Sequence, residues 1–326
     1  MTFSTLTATD CNLSNDSAAG VGGGAIFILN NGTATLSNCT LSNDSSAQDG
    51  GGVCLDSNST VTLNNCNVSN DSAPAAGGVY MNGADTATLS NCTVSNDSGG
   101  AILNNPAGRV TLTNCTLSDD GGGGVLNQGT ATLTACTLSN DSGLDGGGME
   151  NLSVATLTNC TFSNNSTTGN GNGGGIWNAA GATIALTNCT IANNSAVNGS
   201  GGGIWNAGGT LNLTNTIVAE NTAAVSGPDI SGNVNTADHN LIGDGSGSTI
   251  ITNLGGNLIG GNGNPVIDPR LGPLQNNGGA TQTLALLKDS PAIGHGDNSK
   301  APATDQRGIT RIDELEERTD IGAFEL

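Results

Sequence analysis

Six aspartates stand five residues after a recurring cysteine: Asp16, Asp44, Asp71, Asp97, Asp120 and Asp141. Three further copies of the motif carry Asn165, Asn194 and Asn221 in that place. If the copies stack at the spacing of paired β-strands, successive carboxylates lie roughly 4.8 Å apart. At that distance they repel by about 0.9 kcal/mol per pair even in the dielectric of water. One chemistry that relieves the repulsion is a column of calcium ions, since carboxylate and carbonyl oxygens suit a hard cation. The alternative is a solvated turn in which Asp followed by Ser favours the bend. Both readings require the repeats to stack.

The elements that would position these aspartates are legible. The cysteine recurs as Cys11, Cys39, Cys66, Cys92, Cys115, Cys136, Cys160 and Cys189, with Thr216 in a ninth copy, at spacings of 21 to 29 residues. A motif returning at that interval, with length variation confined to Gly-rich stretches, is the signature of a solenoid. Apolar residues alternate with Thr and Ser, as in Cys39-Thr40-Leu41-Ser42, which favours strands, and 52 glycines argue against helices. Leu36 precedes Cys39 by three residues, so both face inward only if the chain turns at Asn38, a residue type that tolerates the left-handed conformation. The same corner recurs at Asn65, Asn91, Asn114, Asn159, Asn188 and Asn215, interrupted by Ala135, and predicts a stack of Asn side chains. A third strand follows each Gly-rich stretch, as in Gly173-Gly174-Gly175-Ile176-Trp177-Asn178.

The predicted fold is therefore all-β: a right-handed single-stranded parallel β-helix of about nine regular coils, followed by irregular C-terminal coils and a cap. Residues 1–222 form the repeats and residues 223–326 the continuation and cap. From about residue 222 the register is expected to be lost. The cysteines of the column are expected to be free, buried and apolar in role, because parallel Cβ vectors suit a disulfide poorly. Cys54 lies off the register. Trp177 and Trp205, 28 residues apart, are expected to stack.

Composition narrows the partners. Seven basic residues stand against 27 acidic ones, a net charge of −20, which disfavours nucleic acid and anionic membrane surfaces. No apolar run is long enough to insert in a membrane. Met1-Thr2-Phe3 leads straight into the first coil without an export signal, which predicts a fragment lacking its N-terminal cap and that signal.

The last 60 residues carry Asp268-Pro269-Arg270-Leu271-Gly272-Pro273-Leu274-Gln275-Asn276-Asn277-Gly278-Gly279, Asp289-Ser290-Pro291-Ala292-Ile293, Thr304-Asp305-Gln306-Arg307-Gly308 and Asp320-Ile321-Gly322-Ala323-Phe324-Glu325. This segment resembles the choice-of-anchor Q domain. The resemblance implies a cap on a right-handed parallel β-helix of a large bacterial surface or secreted protein, with no catalytic residues. The family's usual sorting anchor is not found before Leu326, and the acidic stretch Asp313-Glu314-Leu315-Glu316-Glu317 departs from the pattern. The coils also resemble the repeats of chlamydial polymorphic outer-membrane adhesins, whose Gly-Gly-Ala-Ile and Phe-x-x-Asn motifs match Gly23 to Ile26, Gly99 to Ile102 and Phe162 to Asn165.

The expectation for function is a noncatalytic, extracellular or cell-surface, structural or adhesin-like protein of a bacterium, with no cofactor beyond the calcium considered above. Extracellular polysaccharide or a protein on a host or neighbouring cell is the expected partner, and end-to-end or lateral self-association is compatible with a solenoid. An alternative is a polysaccharide-active enzyme, pectate-lyase-like or glycosidase. A lyase needs a basic residue beside calcium-binding carboxylates, whereas the regular coils contain Arg109 alone and no histidine. His239 and His295 both lie in the C-terminal part, and seven aromatics offer few sugar platforms. A second alternative is ice binding through the outward column Thr7, Thr35, Thr62, Thr88, Thr111, Thr132 and Thr156, joined two residues earlier by Thr33, Thr60, Thr86 and Thr130. The loops Asp49 to Gly52, Ala73 to Gly78 and Thr167 to Gly175 are expected to gather at one edge, where a ligand would touch.

Overall fold

The computed structural model describes residues 2–311 and 318–326, and the acidic stretch singled out above lies outside the described residues. Each regular coil carries three main strands, as in Val79–Asn82, Thr86–Ser90 and Thr93–Ser95, and several add a two-residue fourth, as in Ser142–Gly143 and Ser166–Thr167. The first two join a broad sheet of eighteen strands, and the third joins a narrow sheet of eleven. Among the described residues every strand pairing between coils is parallel, the one antiparallel strand pair being Leu271–Gln275 with Thr283–Leu286 near the C-terminus. Among the described residues no helix is long and apolar enough to cross a membrane.

The corner between broad and narrow sheets is where the sequence places it. Asn38, Asn65, Asn91, Asn114, Ala135, Asn159, Asn188 and Asn215 all have φ between 47° and 54°. Leu36 and Cys39 on either side of the corner are both buried. The Asn stack is present, with Asn114 Nδ2 donating to Asn91 Oδ1 (3.1 Å) and Asn215 Nδ2 to Asn188 Oδ1 (3.2 Å). At the Ala135 interruption the tail's Thr281 hydroxyl donates to the Ala135 carbonyl instead (3.1 Å).

Leu36, Leu63, Leu89, Leu112, Leu133, Leu157, Leu186 and Leu213 form one interior column, and the register cysteines form another beside it. Among the described residues every cysteine is free, Cys11 at the first coil being the exposed one. Cys66, Cys92 and Cys115 donate weakly to Leu36, Leu63 and Leu89 carbonyls of the preceding coil at 3.4 to 3.6 Å. Burial drives the Cys136 and Cys160 thiols well above their ordinary pKa, so they serve as small apolar fillers.

Sequence reasoning missed a second Asn ladder in the interior. Asn104, Asn127, Asn151, Asn178 and Asn206 turn the chain between the two broad-sheet strands, and each amide donates to the next Oδ1 at 2.8 to 2.9 Å. The register is also kept where the sequence predicted its loss. Thr216 N donates to Asn240 Oδ1, and Asn240 N to Asn257 Oδ1, each at 2.8 Å, so these asparagines take the cysteine's place in two further coils. The eye loses the register there because Asn replaces the marker residue and the last interval shrinks to 17 residues.

Beyond Ile259 the chain runs back over the outer face of the narrow sheet. Gln306 ties it down, accepting from Thr161 Oγ1 (2.7 Å) and donating to Thr137 Oγ1 (2.9 Å). Ala323 N donates to Thr190 Oγ1 (3.0 Å), and Gly322 N to the Asn215 carbonyl (2.8 Å). Arg311 pairs with Glu325 at 2.9 Å, both buried, and also donates to Asn159 Oδ1. Ile321, Phe324, Leu286 and Ala292 close a second core against Ile217, Ala219 and Leu241. The C-terminal motif residues are thus the ones that clamp the tail to the coils.

Removing an amide from the interior ladder leaves buried partners unmatched, at a cost of about 1–3 kcal/mol. Asn151→Ala is expected to lower stability by that amount in chemical unfolding, whereas Thr62→Ser on the outer face should change it by less than about 0.5 kcal/mol.

Candidate functional site

The aspartate column does not form a solvated turn. Asp44, Asp71, Asp97, Asp120 and Asp141 are at most 1% exposed, and only Asp16, on the first coil, faces solvent. The preceding residue (Asn43, Asn70, Asn96, Asp119 or Asn140) has φ of 59° to 63°, a second left-handed corner that turns the aspartate inward. Each Oδ1 accepts the backbone N–H of the equivalent residue one coil earlier. The series runs unbroken from Asp16 N to Asp44 Oδ1 (2.8 Å) through Asp97 N to Asp120 Oδ1 (2.8 Å) to Asn194 N to Asn221 Oδ1 (2.9 Å).

The second atom of the side chain differs between the two halves. In Asn165, Asn194 and Asn221 it is Nδ2, which donates to the Leu138, Phe162 and Ile191 carbonyls at 2.9 to 3.0 Å. In Asp44, Asp71, Asp97, Asp120 and Asp141 it is Oδ2, buried and without a hydrogen-bond partner. A glycine roofs six of these eight atoms: Gly52, Gly78 and Gly124 over Asp71, Asp97 and Asp141, and Gly148, Gly175 and Gly203 over the three asparagines. A Cβ on Gly78 would lie 2.8 Å from Asp97 Oδ2, and one on Gly203 would lie 2.7 Å from Asn221 Nδ2. Calcium takes six to eight oxygen ligands, whereas each buried carboxylate meets a backbone N–H at Oδ1 and no hydrogen-bond partner at Oδ2.

Burial raises these carboxyls far above the usual value. Asp44 is pushed up to about 6, Asp71 to about 7 and Asp97 to about 9, with the neighbouring carboxylates adding to the effect. Asp120 and Asp141 are raised as well, again mainly by burial. The hydrogen bonds from backbone N–H groups pull the other way and lose.

Other chemistry-bearing residues lie apart from this column. Arg109 is exposed on the outer face of the broad sheet, paired between Thr86 and Thr130. His239 takes the Asn position at the outer corner, with φ 51°, and its Nδ1 lies 2.7 Å from Asp238 Oδ1. Among the described residues, Asp238, His239 and Asp297 form the one set of three His, Cys, Asp or Glu side chains whose ligand atoms lie within 4.8 Å of one another. That juxtaposition depends on the tail returning to the ninth coil, where Asp297 N meets Asn215 Oδ1 (2.8 Å), and no spacing in the sequence signals it.

The outward threonines are brought together. Thr7, Thr35, Thr62, Thr88, Thr111, Thr132 and Thr156 pair in register from coil to coil, and Ala185 ends the run. Thr33, Thr60 and Thr86 form the flanking column, which Arg109 and Val154 interrupt. A third column, Thr113, Thr134, Thr158, Thr187 and Thr214, completes the face, and alternation along the strand was the signal that would have found it. Trp177 and Trp205 stack, with ring centroids 5.7 Å apart and planes at 29°.

The raised carboxyls set the sign of the pH dependence. Because their folded-state pKa values lie above the unfolded value of 3.8, their contribution to stability is full below about pH 4. It is lost as pH climbs through about 6 to 9. The melting temperature is expected to fall from pH 4 to pH 9, and Asp97→Asn to flatten that slope. A column filled by calcium gives the opposite signature, a melting temperature that rises with pH and drops on adding a chelator.

Comparison with curated proteins and with solved structures yields no match. The family model described as "Right handed beta helix region" matches residues 24–125 and 100–263, well over half of the chain. The coil geometry and that match agree, and the chain belongs to the right-handed β-helix family.

Proposed function

We propose that the protein is a noncatalytic, rigid β-helical rod of a bacterial exterior, adhesin-like in role, whose ordered outer face makes the contact. The observation that carries this reading is the division of chemistry across the wall. The carboxylates of the second to sixth coils are buried with one oxygen committed to the backbone, while the repeating groups on the broad outer face are threonine hydroxyls. Hydroxyl columns on a stiff scaffold suit binding to an extended, hydroxyl-bearing surface. They offer no acid or base for chemistry. The C-terminal segment, clamped by its own motif residues, serves in this reading as the cap of the choice-of-anchor Q kind.

A second reading uses the same columns. Flat, evenly spaced hydroxyls are also what a surface needs to order water into ice, and the in-register run from Thr7 to Thr156 is the observation that favours it.

The test is incubation with neutral and acidic polysaccharides, with and without calcium, following co-sedimentation and polymer length together. Binding with unchanged length is expected; shortened polymer would overturn the noncatalytic reading. Thermal hysteresis that disappears when Thr62 and Thr88 are replaced by Tyr would favour the ice-binding face instead.

A further inference from the structure

A column on the first strand of the broad sheet differs from its threonine neighbours. Strand pairing aligns outward-facing Phe27, Tyr80, Leu126, Glu150, Trp177 and Trp205 along one line. Most of this line is apolar, unusual on a surface otherwise made of Thr, Ser and Asn. Its two largest members are the stacked tryptophans, both half-buried.

The ends of the tryptophan stack are unlike each other. On one side the next coil presents Glu150, the only acid in the column. On the other it presents Ser231, a small residue that is itself buried, and the following coil adds Ser248 opposite Gly232, so the side chain in register with Trp205 on that side is not a ring. The indole N–H of Trp177 is buried and has no acceptor. Left-handed glycines hold the adjoining loop close to this stripe: Gly173, with φ 68°, comes so near that a Cβ there would lie 2.9 Å from Trp177 Cα. The same loop edge carries Asp145, whose Oδ1 accepts Asn172 N (2.7 Å), and Asn172 Oδ1 accepts Ser200 N (2.9 Å). An aromatic face flanked by amide and hydroxyl groups presents both kinds of contact that a sugar ring makes, its C–H face on the ring and its hydroxyls on the polar rim.

We propose that Trp177 and Trp205, with Glu150 beside them, form a binding platform for a neutral polysaccharide chain. This rests on the surface-contact reading above and names the ligand class and place for it. Charge selects the class: the column contains no cation to meet an anionic sugar, and the chain as a whole carries −20. Glu150 fits a neutral ligand as well, since burial and, secondarily, Asp145 raise its carboxyl to about 7, leaving it able to donate to a sugar hydroxyl.

The experiment is affinity electrophoresis of the full chain through gels containing hydroxyethylcellulose, with polygalacturonate as the anionic control, alongside tryptophan fluorescence on titrating the soluble polymer. The wild type is expected to be retarded by the neutral polymer alone, with a shift in emission and protection from a soluble quencher. Trp205→Ala should weaken retardation by about tenfold or more, and Trp205→Phe should restore part of it. Ser231→Phe, which sets a ring beside Trp205 while leaving both tryptophans in place, should weaken it likewise, with thermal melting of each variant showing that it folds. Retardation unchanged in Trp205→Ala and Ser231→Phe would overturn the platform and leave the surface-contact reading standing. A wild type that hydroxyethylcellulose neither retards nor changes in fluorescence would overturn the platform, and failure to bind any polysaccharide or cell-surface protein would remove both.

Discussion

The structure depends on one repeated interaction: a corner amide of each coil donates to a side-chain oxygen of the next. At the inner corner the acceptor is Asp or Asn, from Asp44 to Asn221, and at the start of the narrow strand it is Thr216, Asn240 and finally Asn257. Backbone pairing alone would stack the strands, but the corners are where a parallel coil leaves N–H groups without a strand partner. Burying such a group unpaired costs as much as a lost hydrogen bond. The Asx ladders therefore let the chain turn sharply while remaining closed to water. In most coils they also keep the residue overhead small: a Cβ on Gly52, Gly78 or Gly124 would lie 2.8 Å from the Oδ2 of Asp71, Asp97 or Asp141.

That constraint explains why acids occupy the interior of so acidic a protein. Oδ1 of an aspartate serves the ladder as well as that of an asparagine, and both residue types adopt short, locally bonded corners. The difference falls on the second atom, which finds a carbonyl in Asn165 and none in Asp141. The early coils consequently carry a proton-sensitive column where the later coils carry a neutral one. The net charge of −20 overstates the field of the folded rod to the extent that these buried acids hold their protons.

Much of the fold is legible in the sequence because the solenoid repeats one local solution. The Leu36 to Cys39 parity break locates a corner, and Asn38 at its apex identifies the backbone conformation that makes it. The interior ladder from Asn104 to Asn206 escaped because an Asn after an apolar pair reads as an ordinary strand end until the coils are stacked. The Asp column was visible but its burial was not. Asp-Ser looks like a surface turn, and only the left-handed residue before it, Asn96 ahead of Asp97, turns the carboxyl inward. The Asp238, His239 and Asp297 cluster was beyond reach, since it joins residues more than fifty positions apart through a tail whose path the repeat does not dictate. Position 54 shows the same limit: its cysteine is off the register because it stands in the outward stripe with Phe27 and Tyr80.

Native-state hydrogen exchange at the amides of Asp71, Asp97, Asn165 and Asn194 tests the corner ladder most directly. If the next coil's side-chain oxygen holds each of these N–H groups, they will exchange only with the global opening of the rod, as slowly as the central broad-strand amide of Leu112. Exchange at these four amides as fast as in the exposed loop at Leu144 would contradict the account, because the coils would then be joined by their strands alone.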